Sequence, residues 1–447
     1  MTSAGRERET VTENRRALPT EKNVADWASH AIVLPHYNNA SVSKISERAT
    51  TVTSAHIPAQ LSLRDAKIAL VHEWLVVPAG SEQVLREMRR VFPHADVFCL
   101  VDGLSDADRA SLGVGHPRTS FLQWIPGVTR HYRALLPLMP LAIASLDLRA
   151  YDVVISNSHA VAKGARARAD ALHLCHCCSP MRYAWDLREQ YLREAGVHRW
   201  PVSWLLHRML DRLRRWDLAS TDRVTSFVAI SGFIADRIRR AYGRESTVVY
   251  PPVDTHYYTL DDRVPRGTHY LTASRFVGYK RIPAIVAAFR ELPDRQLVVI
   301  GDGPDRHRVL AAAGPNVTWL GRQPRERLRE EMRRARAFVF AAEEDFGIVP
   351  VEAQGCGTPV IALGAGGSRE TVIGHGPDRT GHFFESATPE AIAGAIRAFE
   401  ALPIIPPERC RANAERFSTA AFHAGVRAAL RGVVPDAAWG TPANPAP

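Results

Sequence analysis

The chain has 447 residues, of which 46% are hydrophobic and 23% are charged, with a formal net charge of +10. This length exceeds what one ordinary core supports, so we expect two domains. The most apolar stretch, residues 134–146, is short and contains two prolines, which excludes a membrane-spanning helix there. The first residues are polar and charged without an apolar signal core, so a cytoplasmic protein is predicted. The six cysteines show no spacing typical of a disulfide framework or a zinc site, and we expect no metal.

The first part of the chain predicts a polar extension followed by an α/β domain. Residues 1–63 are mixed in charge and lack hydrophobic periodicity, which predicts disorder. From Ala66 an apolar run leads into small residues at 78–81 and a helical pattern over 82–90. Further strands are predicted at 97–101, 153–156, 172–177 and 224–230. Strands that alternate with helices or loops predict a parallel sheet covered on both faces, and we assign this domain to 64–250.

A second alternating series follows the paired prolines Pro251 and Pro252. Its strands are predicted at 270–273, 296–300, 317–320, 337–342 and 359–363. We therefore expect a second doubly wound domain over residues 251–405. Helices over 406–432 are expected to return to the first domain, and residues 433–447 are expected to form a frayed tail.

Residues 182–244 form a basic segment with 13 arginines, no lysine and seven acidic residues. Apolar residues recur at helical spacing within it, and four arginines fall mostly on the opposite face. The apolar set is Leu206, Met209, Leu210, Leu213 and Trp216, and the arginines are Arg208, Arg212, Arg214 and Arg215. Such a helix either packs on its own domain or contacts the anionic inner face of a membrane. No nucleic-acid-binding motif is recognisable, so no nucleic-acid partner is expected.

Two glutamates, Glu344 and Glu352, flank the sequence Asp-Phe-Gly-Ile-Val-Pro-Val directly after a predicted strand. Gly347 provides a tight turn and Pro350 suits the first turn of a helix, which predicts Glu352 at a helix N-terminus beside Glu344. Free N–H groups at a helix start bind anions, and paired carboxylates accept hydrogen bonds from the hydroxyls of a sugar or ribose. The alternative is that one glutamate complements the helix dipole and the other is solvated.

Other polar residues of the second domain also follow strands. Arg275 and Lys280 supply two cations that can neutralise a diphosphate and stabilise it as a leaving group. Glycines that let backbone amides approach phosphate oxygens follow two further strands, at Gly301, Gly303, Gly364, Gly366 and Gly367. Glu370 lies just beyond the last of them. Because open parallel sheets bind ligands at the carboxyl ends of their strands, these features converge on one nucleotide-sugar site.

This convergence resembles the retaining glycosyltransferase family 4, whose members have the GT-B fold of two Rossmann-like doubly wound domains facing each other across a cleft. The resemblance covers about residues 66–425. It implies that Arg275 and Lys280 contact the donor diphosphate, Glu344 the sugar hydroxyls and Glu352 the ribose. It also implies donor contacts for Gly301, Phe346, Gly347, Ile348, Val349, Gly366 and Gly367, with Glu370 as a further candidate.

The first domain carries matching motifs. Residues 71–75 and 79–82 look like the family's first strand and glycine-rich loop, which implies that Gly80 and Ser81 close over the donor phosphates. Ala79 stands where many relatives carry a second glycine. Its Cβ atom limits how closely a phosphate can approach the backbone at this position. Residues 151–156 and 158–164 also resemble the polysaccharide or O-antigen mannosyltransferases of this family.

One motif departs from the family. Within residues 175–186, relatives usually carry an active-site histidine at the position of Cys178, while His176 lies two residues earlier on the same face of the strand. Either His176 completes the site, or Cys178 replaces the imidazole, or neither residue matters to the reaction. His159 is a further candidate, although a single histidine after a strand is usually structural.

The resemblance implies a peripheral enzyme at the inner face of the plasma membrane. It would transfer a hexosyl group, with mannose from GDP-mannose favoured, to a hydroxyl of a lipid-linked or glycan acceptor in cell-surface polysaccharide biosynthesis. The candidate catalytic residues are His176, Glu344, Arg275 and Lys280, and neither a cofactor nor a metal is expected beside the nucleotide-sugar. The departure at Cys178 motivates the alternative of a catalytically impaired nucleotide-sugar-binding or scaffold protein with the same fold.

Overall fold

The computed structural model describes residues 66–185 and 202–434. The predicted N-terminal extension, residues 186–201 of the basic segment and nearly all of the predicted tail lie outside these ranges. None of the helices within the described ranges is long and apolar enough to cross a membrane.

The first lobe is built on a sheet of seven parallel strands. They are β1 (Ile68–His72), β3 (Asp96–Cys99), β5 (Arg118–Thr119), β6 (Val153–Ser158), β7 (Leu172–Cys177), β8 (Ser226–Ala229) and β9 (Ser246–Val248). Their order in the sheet is β5-β3-β1-β6-β7-β8-β9, so the strand sequence reverses direction between β1 and β6. The short strands β2 (Trp74–Leu75) and β4 (Val101–Asp102) form a separate parallel pair.

Helices cover both faces of this first sheet. They are α1 (Gly80–Val91), α2 (Asp106–Leu112), α3 (Val128–His131), α4 (Met139–Ala144), α5 (Val202–Ala219) and α6 (Gly232–Tyr242). Ile68 and Leu70 of β1 belong to one hydrophobic cluster, whereas Ala69 and Val71 belong to another. Because both faces are buried, the strands read as continuous apolar runs and were predictable from the sequence.

The second lobe repeats this architecture with six parallel strands. They are β10 (Tyr270–Ala273), β11 (Leu297–Ile300), β12 (Val317–Gly321), β13 (Ala337–Phe340), β14 (Val360–Leu363) and β15 (Gly381–Phe384). The order is β12-β11-β10-β13-β14-β15, with the reversal between β10 and β13. The helices are α7 (Ile282–Ala288), α8 (Arg306–Ala312), α9 (Arg325–Arg334), α10 (Ile348–Gly355), α11 (Ser368–Thr371), α12 (Pro389–Ala401) and α13 (Pro407–Glu415). Two doubly wound parallel sheets confirm the predicted α/β fold class.

The last described helix, α14 (Thr419–Arg431), packs on the first lobe. Phe422, Val426 and Leu430 are buried in the same cluster as Ile68 of β1. The Nε2 atom of His423 lies 2.9 Å from Oε2 of Glu87 in α1. The chain therefore crosses back to the first sheet after completing the second.

Helix α5 contains the predicted basic amphipathic pattern. Leu210 and Leu213 are each 4% exposed and pack, with the partly buried Leu206, Met209 and Trp216, in the core of the first lobe. The apolar stripe thus packs on its own domain, which is the first of the two alternatives for this helix. Its four arginines, Arg208, Arg212, Arg214 and Arg215, are exposed.

A buried ion pair and its hydrogen bonds join four segments of the first lobe. Lys163, which follows β6, pairs with Asp217 of α5, and both side chains are almost fully buried. The other carboxylate oxygen of Asp217 accepts hydrogen bonds from Trp185 Nε1 and Tyr242 Oη, each at 2.8 Å. Because every charged atom has a partner, this network can hold the segment after β7 against α5 and α6.

We expect the substitution Lys163→Met to lower the free energy of unfolding by about 3 kcal/mol, because it leaves the Asp217 carboxylate buried without its cation. Urea denaturation followed by circular dichroism measures the change. As a matched control, Lys67→Met removes an exposed lysine and should change stability by less than about 0.5 kcal/mol. A Lys163→Met protein as stable as the control would contradict a structural role for the pair.

Candidate active site

The polar residues of interest lie at the reversal point of each sheet. In the first lobe, Glu73 follows β1 and His159 follows β6, the two strands on either side of the reversal. In the second lobe, Arg275 and Lys280 follow β10 and Glu344 follows β13. Open α/β sheets bind ligands at such points, outside the carboxyl ends of the strands. Each lobe therefore contributes one potential binding edge.

The N-termini of two helices from different lobes meet in the cleft. Gly80 is the first residue of α1 and Ile348 is the first residue of α10. A Cβ atom built on Gly80 would lie only 3.3 Å from Ile348 Cδ1, so the two helix starts are in contact range. The predicted residues Gly80 and Ser81 are thereby brought beside the predicted segment 346–349. Two converging helix N-termini favour an anion such as a diphosphate.

Lys280 and Glu344 form an ion pair at the reversal point of the second sheet. The Lys280 side chain is 14% exposed. Burial, together with the neighbouring Arg182 cation, lowers the pKa of Lys280 to about 7. The structure thus brings together a cation and a carboxylate that the sequence assigned to the diphosphate and the sugar. Arg275 lies two residues after the end of β10.

Glu352 lies deeper in α10 than predicted. The helix begins at Ile348, so Glu352 is its fifth residue, and the predicted place at the N-terminus is wrong by about one turn. Gly347, with φ of 88°, precedes the helix and makes the turn. Burial raises the pKa of Glu352 to about 7, against the opposing effects of Arg325 and Tyr258. Glu352 and Glu344 therefore have different charged neighbours.

Close packing between loops explains the glycines of the second lobe. At Gly301, where φ is 131°, a Cβ atom would lie 1.8 Å from the carbonyl oxygen of Ser274. At Gly367 it would lie 2.4 Å from Cα of Phe346, and the Gly367 N–H donates to the Glu344 carbonyl at 2.7 Å. Gly366 packs equally closely on the backbone of Glu344. Gly366 and Gly367 thus hold the loop around 344–347 in place, whereas Gly301 packs on the segment after β10.

Two acidic residues of the second lobe bind the first lobe. Asp345 pairs with Arg182 and with Arg237, whose Nη1 lies 3.0 Å from Asp345 Oδ1. The Glu370 carboxylate accepts hydrogen bonds from the N–H groups of Gly232 and Phe233 at the start of α6, at 2.7 and 2.9 Å. Glu370 was a candidate for binding the nucleotide-sugar, and in the structure its carboxylate binds the start of α6 across the lobe interface.

Phe346 also contributes to the lobe interface. Its ring is buried and lies 5.8 Å from the ring of Tyr250 and 5.4 Å from that of Phe417, measured between centroids. The side chain therefore packs between the lobes. Only the backbone of Phe346 is left to contact a nucleotide-sugar.

A buried polar network underlies the first-lobe edge, and sequence reasoning did not single out its centre, Asn157. The Asn157 Nδ2 group donates to the carbonyl oxygen of Ser81 at 2.9 Å. Its Oδ1 accepts from His176 Nδ1 at 3.0 Å and from Cys178 Sγ at 3.2 Å. His72 lies on the other side, with Nδ1 3.3 Å from Asn157 Nδ2. Only the alternation of β6 and β7, which places polar atoms at facing positions, could have signalled this cluster.

Neither His176 nor Cys178 presents a charged group to the cleft. His176 is 1% exposed, and its ring packs against that of Phe422. Burial lowers the pKa of His176 to about 4, so its imidazole is neutral. Burial and the nearby Glu73 carboxylate raise the pKa of the Cys178 thiol. His159, by contrast, is 29% exposed, and its Nδ1 lies 3.0 Å from Glu73 Oε2.

Two facing doubly wound domains with helix N-termini at their cleft define the class of GT-B glycosyltransferases. Residues 78–257 match the model of Glycosyltransferase Family 4, and residues 266–417 match that of Glycosyl transferases group 1. The chain therefore belongs to the glycosyltransferases of the family 4 type, as the sequence motifs implied. Among the described residues, no three His, Cys, Asp or Glu side chains are grouped so as to hold a metal ion.

This chain matches only part of each curated relative, and it spans little more than half the length of the glycogen synthase. A glycogen synthase of Mycobacterium tuberculosis is 28% identical over 248 residues, which are 51% of this chain and 57% of that protein. A GDP-mannose-dependent monoacylated alpha-(1-6)-phosphatidylinositol monomannoside mannosyltransferase of Corynebacterium glutamicum is 36% identical over 104 residues, 21% of this chain and 26% of that protein. The structure of HepE from Anabaena in complex with UDP shares the fold, with a TM-score of 0.59, 18% identity and coverage of 82% of this chain and 100% of that chain.

The raised pKa of Glu352 predicts a pH-dependent effect of the substitution Glu352→Gln. Between the ordinary pKa of 4.5 and the folded value of about 7, the folded protein holds a proton that the unfolded chain releases, so stability falls as the pH rises. We expect Glu352→Gln to be more stable than the wild type at about pH 8 and equal to it at about pH 4. Urea denaturation at both pH values measures this difference. The exposed substitution Glu385→Gln is the control, and an equal effect of Glu352→Gln at both pH values would contradict the assignment.

Proposed function

We propose that the chain is a retaining hexosyltransferase that moves a mannosyl group from GDP-mannose to a hydroxyl of a lipid-linked or glycan acceptor in cell-surface polysaccharide biosynthesis. The observation that carries this proposal is the Lys280–Glu344 ion pair at the edge where the N-termini of α1 and α10 meet. Lys280 and the two helix N-termini offer positive charge to a diphosphate. The Glu344 carboxylate of the same ion pair can accept hydrogen bonds from sugar hydroxyls.

In the proposed reaction, the bond between the sugar C1 and the phosphate oxygen breaks, and a bond from the acceptor oxygen to C1 forms on the same face. Negative charge then grows on the leaving diphosphate, where Lys280, Arg275 and the N-terminus of α10 stabilise it. The hydroxyl proton of the acceptor passes to an oxygen of the leaving phosphate. Glu344 accepts hydrogen bonds from sugar hydroxyls and stabilises positive charge that develops on the sugar ring. Glu352 accepts hydrogen bonds from the ribose hydroxyls.

Two observations support mannose and a surface glycan. The curated relative from Corynebacterium glutamicum is described as GDP-mannose-dependent. The first-lobe motif at 158–164 resembles that of polysaccharide mannosyltransferases, and its Lys163 forms the buried ion pair that positions neighbouring segments.

We expect the purified protein to release GDP from GDP-mannose when incubated with an extract of lipid-linked oligosaccharides, and to do so faster than it releases UDP from UDP-glucose or UDP-N-acetylglucosamine. NMR of the product should show the anomeric configuration of the donor. Lys280→Ala should lower kcat by about 100-fold or more, because it removes a positive charge that stabilises the leaving diphosphate. The control Lys67→Ala, on the surface, should retain full activity. Tight nucleotide binding without transfer from any donor would contradict the enzymatic function and favour the scaffold alternative.

We also propose that the helical face of the first lobe docks on an anionic membrane. Trp124 is 87% exposed and Leu141 is 64% exposed, while Trp204 and Leu205, at the start of α5, are 52% and 61% exposed. Their neighbours Leu122, Ala142 and Leu210 share one core cluster, so these elements cover the same face of the sheet. The exposed arginines of α5 add positive charge beside them. Apolar and cationic side chains together fit the headgroup region of an anionic bilayer.

Flotation with vesicles of phosphatidylglycerol and phosphatidylcholine tests this surface. The double substitution Arg212→Glu and Arg215→Glu should weaken binding by about 10-fold or more, since each reversed charge loses about 1 kcal/mol of attraction and adds repulsion. Trp124→Ser should also weaken binding. Ile404→Ser removes an equally exposed apolar side chain, 94% exposed, from the second lobe and should have no effect. Equal flotation of all variants would exclude this docking face.

A further inference from the structure

A second cation–carboxylate pair lies at the reversal point of the first sheet, where sequence reasoning offered only a single histidine. Glu73 is fully buried, and its Oε1 accepts hydrogen bonds from Ser158 Oγ at 3.1 Å and from three backbone N–H groups. These are the N–H groups of His159, Ala160 and Ala162, at 3.1, 2.8 and 3.0 Å. The carboxylate is therefore fixed by the backbone of the loop that carries His159.

The second oxygen of Glu73 orients His159. Its Oε2 lies 3.0 Å from Nδ1 of the imidazole, and the edge of the ring contacts Trp74, with 4.8 Å between centroids. Nδ1 is the ring nitrogen paired with this carboxylate, and Nε2 lies on the opposite side of the ring. The side chain remains 29% exposed, so the oriented ring is accessible to a ligand.

The surroundings favour a protonated ring. Burial raises the pKa of Glu73, but His159, His72 and the N–H of Ala162 outweigh it and lower that pKa to about 2. Burial lowers the pKa of His159, and the Glu73 carboxylate, with a smaller contribution from Glu82, raises it above its ordinary value. The other groups near this ring are His72, whose ring centroid lies 6.4 Å away, and Arg182, which opposes the charge.

Arg182 connects this pair with the second lobe. Its charge acts on both His159 and Lys280, and its guanidinium pairs with Asp345, the neighbour of Glu344. The ring of His159 also lies 6.4 Å from that of His72, measured between centroids, and Nε2 of His72 is 3.4 Å from Oε1 of Glu82 in the first turn of α1. His159 therefore lies beside the N-terminus of α1, which meets α10 of the second lobe in the cleft. An anion bound at these helix N-termini can also accept a hydrogen bond from a charged His159.

We propose that His159, oriented by the buried Glu73 carboxylate, donates a charged hydrogen bond to a phosphate oxygen of the nucleoside diphosphate in the cleft. This inference rests on the proposed function. His159 would contact the ligand from the first lobe, opposite Lys280, whereas Glu73 is a positioning residue that acts through His159. The diphosphate would then be bound from both lobes at once.

Calorimetric titration with GDP and with UDP tests the contact. We expect His159→Gln to weaken diphosphate binding by about 10-fold to 100-fold, the loss of one charged hydrogen bond. Near neutral pH the wild type should also take up more protons on binding than the variant does, which titrations in buffers of different ionisation enthalpy measure. Lys280 also titrates at the cleft. Because it is present in both proteins, its proton uptake is common to the two titrations. His256→Gln, which removes an exposed histidine, is the matched control.

The substitution Glu73→Gln provides a second test that leaves the imidazole in place. Its Oε1 can still accept the loop N–H groups, while its amide donates to Nδ1 of His159 and leaves the ring neutral. A histidine whose pKa is raised is charged below that pKa and loses its charge as the pH rises through it. Glu73→Gln should therefore shift the loss of diphosphate affinity to lower pH, which a purely structural role of Glu73 would not do.

The outcomes separate this inference from the proposed function. A wild type that binds neither GDP nor UDP overturns both. If the wild type binds and His159→Gln binds equally well with equal proton uptake, the His159 contact is excluded and the proposed function stands. If His159→Gln does not fold, Glu73→Gln decides, since an unchanged pH dependence excludes the contact.

Discussion

The four residues Glu344, Asp345, Phe346 and Gly347 hold the donor edge and the lobe interface together. Glu344 binds Lys280 within the second lobe, whereas Asp345 binds Arg182 and Arg237 of the first. Phe346 is buried against Tyr250 and Phe417, and Gly347 turns the chain into α10. A ligand that displaces Lys280 from Glu344 therefore acts on a loop whose next residue is bound across the cleft. Donor binding and the relative position of the lobes share one short segment, so they are expected to be coupled.

The fold was largely predictable because strands buried on both faces read as apolar runs. β10 was predicted at its observed bounds, and β11, β13 and β14 were predicted to within two residues at either end. The missed strands include β5, which has only two residues and pairs with β3, a partner elsewhere in the chain. So short a segment shows no periodicity, and only tertiary contacts define it.

Candidate site residues could be proposed from the sequence only where each lies in a motif near a strand end. Glu344, Gly347 and Lys280 are close to strand ends, and a motif in the sequence marks each of them. The contact between Arg182 and Asp345 joins residues 163 positions apart, and that between Gly232 and Glu370 spans 138 positions. Such pairs leave no local pattern. The apolar stripe of α5 was ambiguous for a related reason, because burial against a domain and burial in a bilayer require the same periodicity.

Desolvation determines which side chain of the first lobe can carry charge. His176 lies within β7 and is enclosed by Asn157 and Phe422, so burial keeps its ring neutral. His159 lies one step beyond the end of β6, beside a carboxylate held by four donors. Three of these donors are backbone N–H groups, which side-chain substitution does not remove. The buried His176 therefore supports the edge as a neutral ring, whereas the carboxylate beside His159 favours the charged form of that ring in the loop.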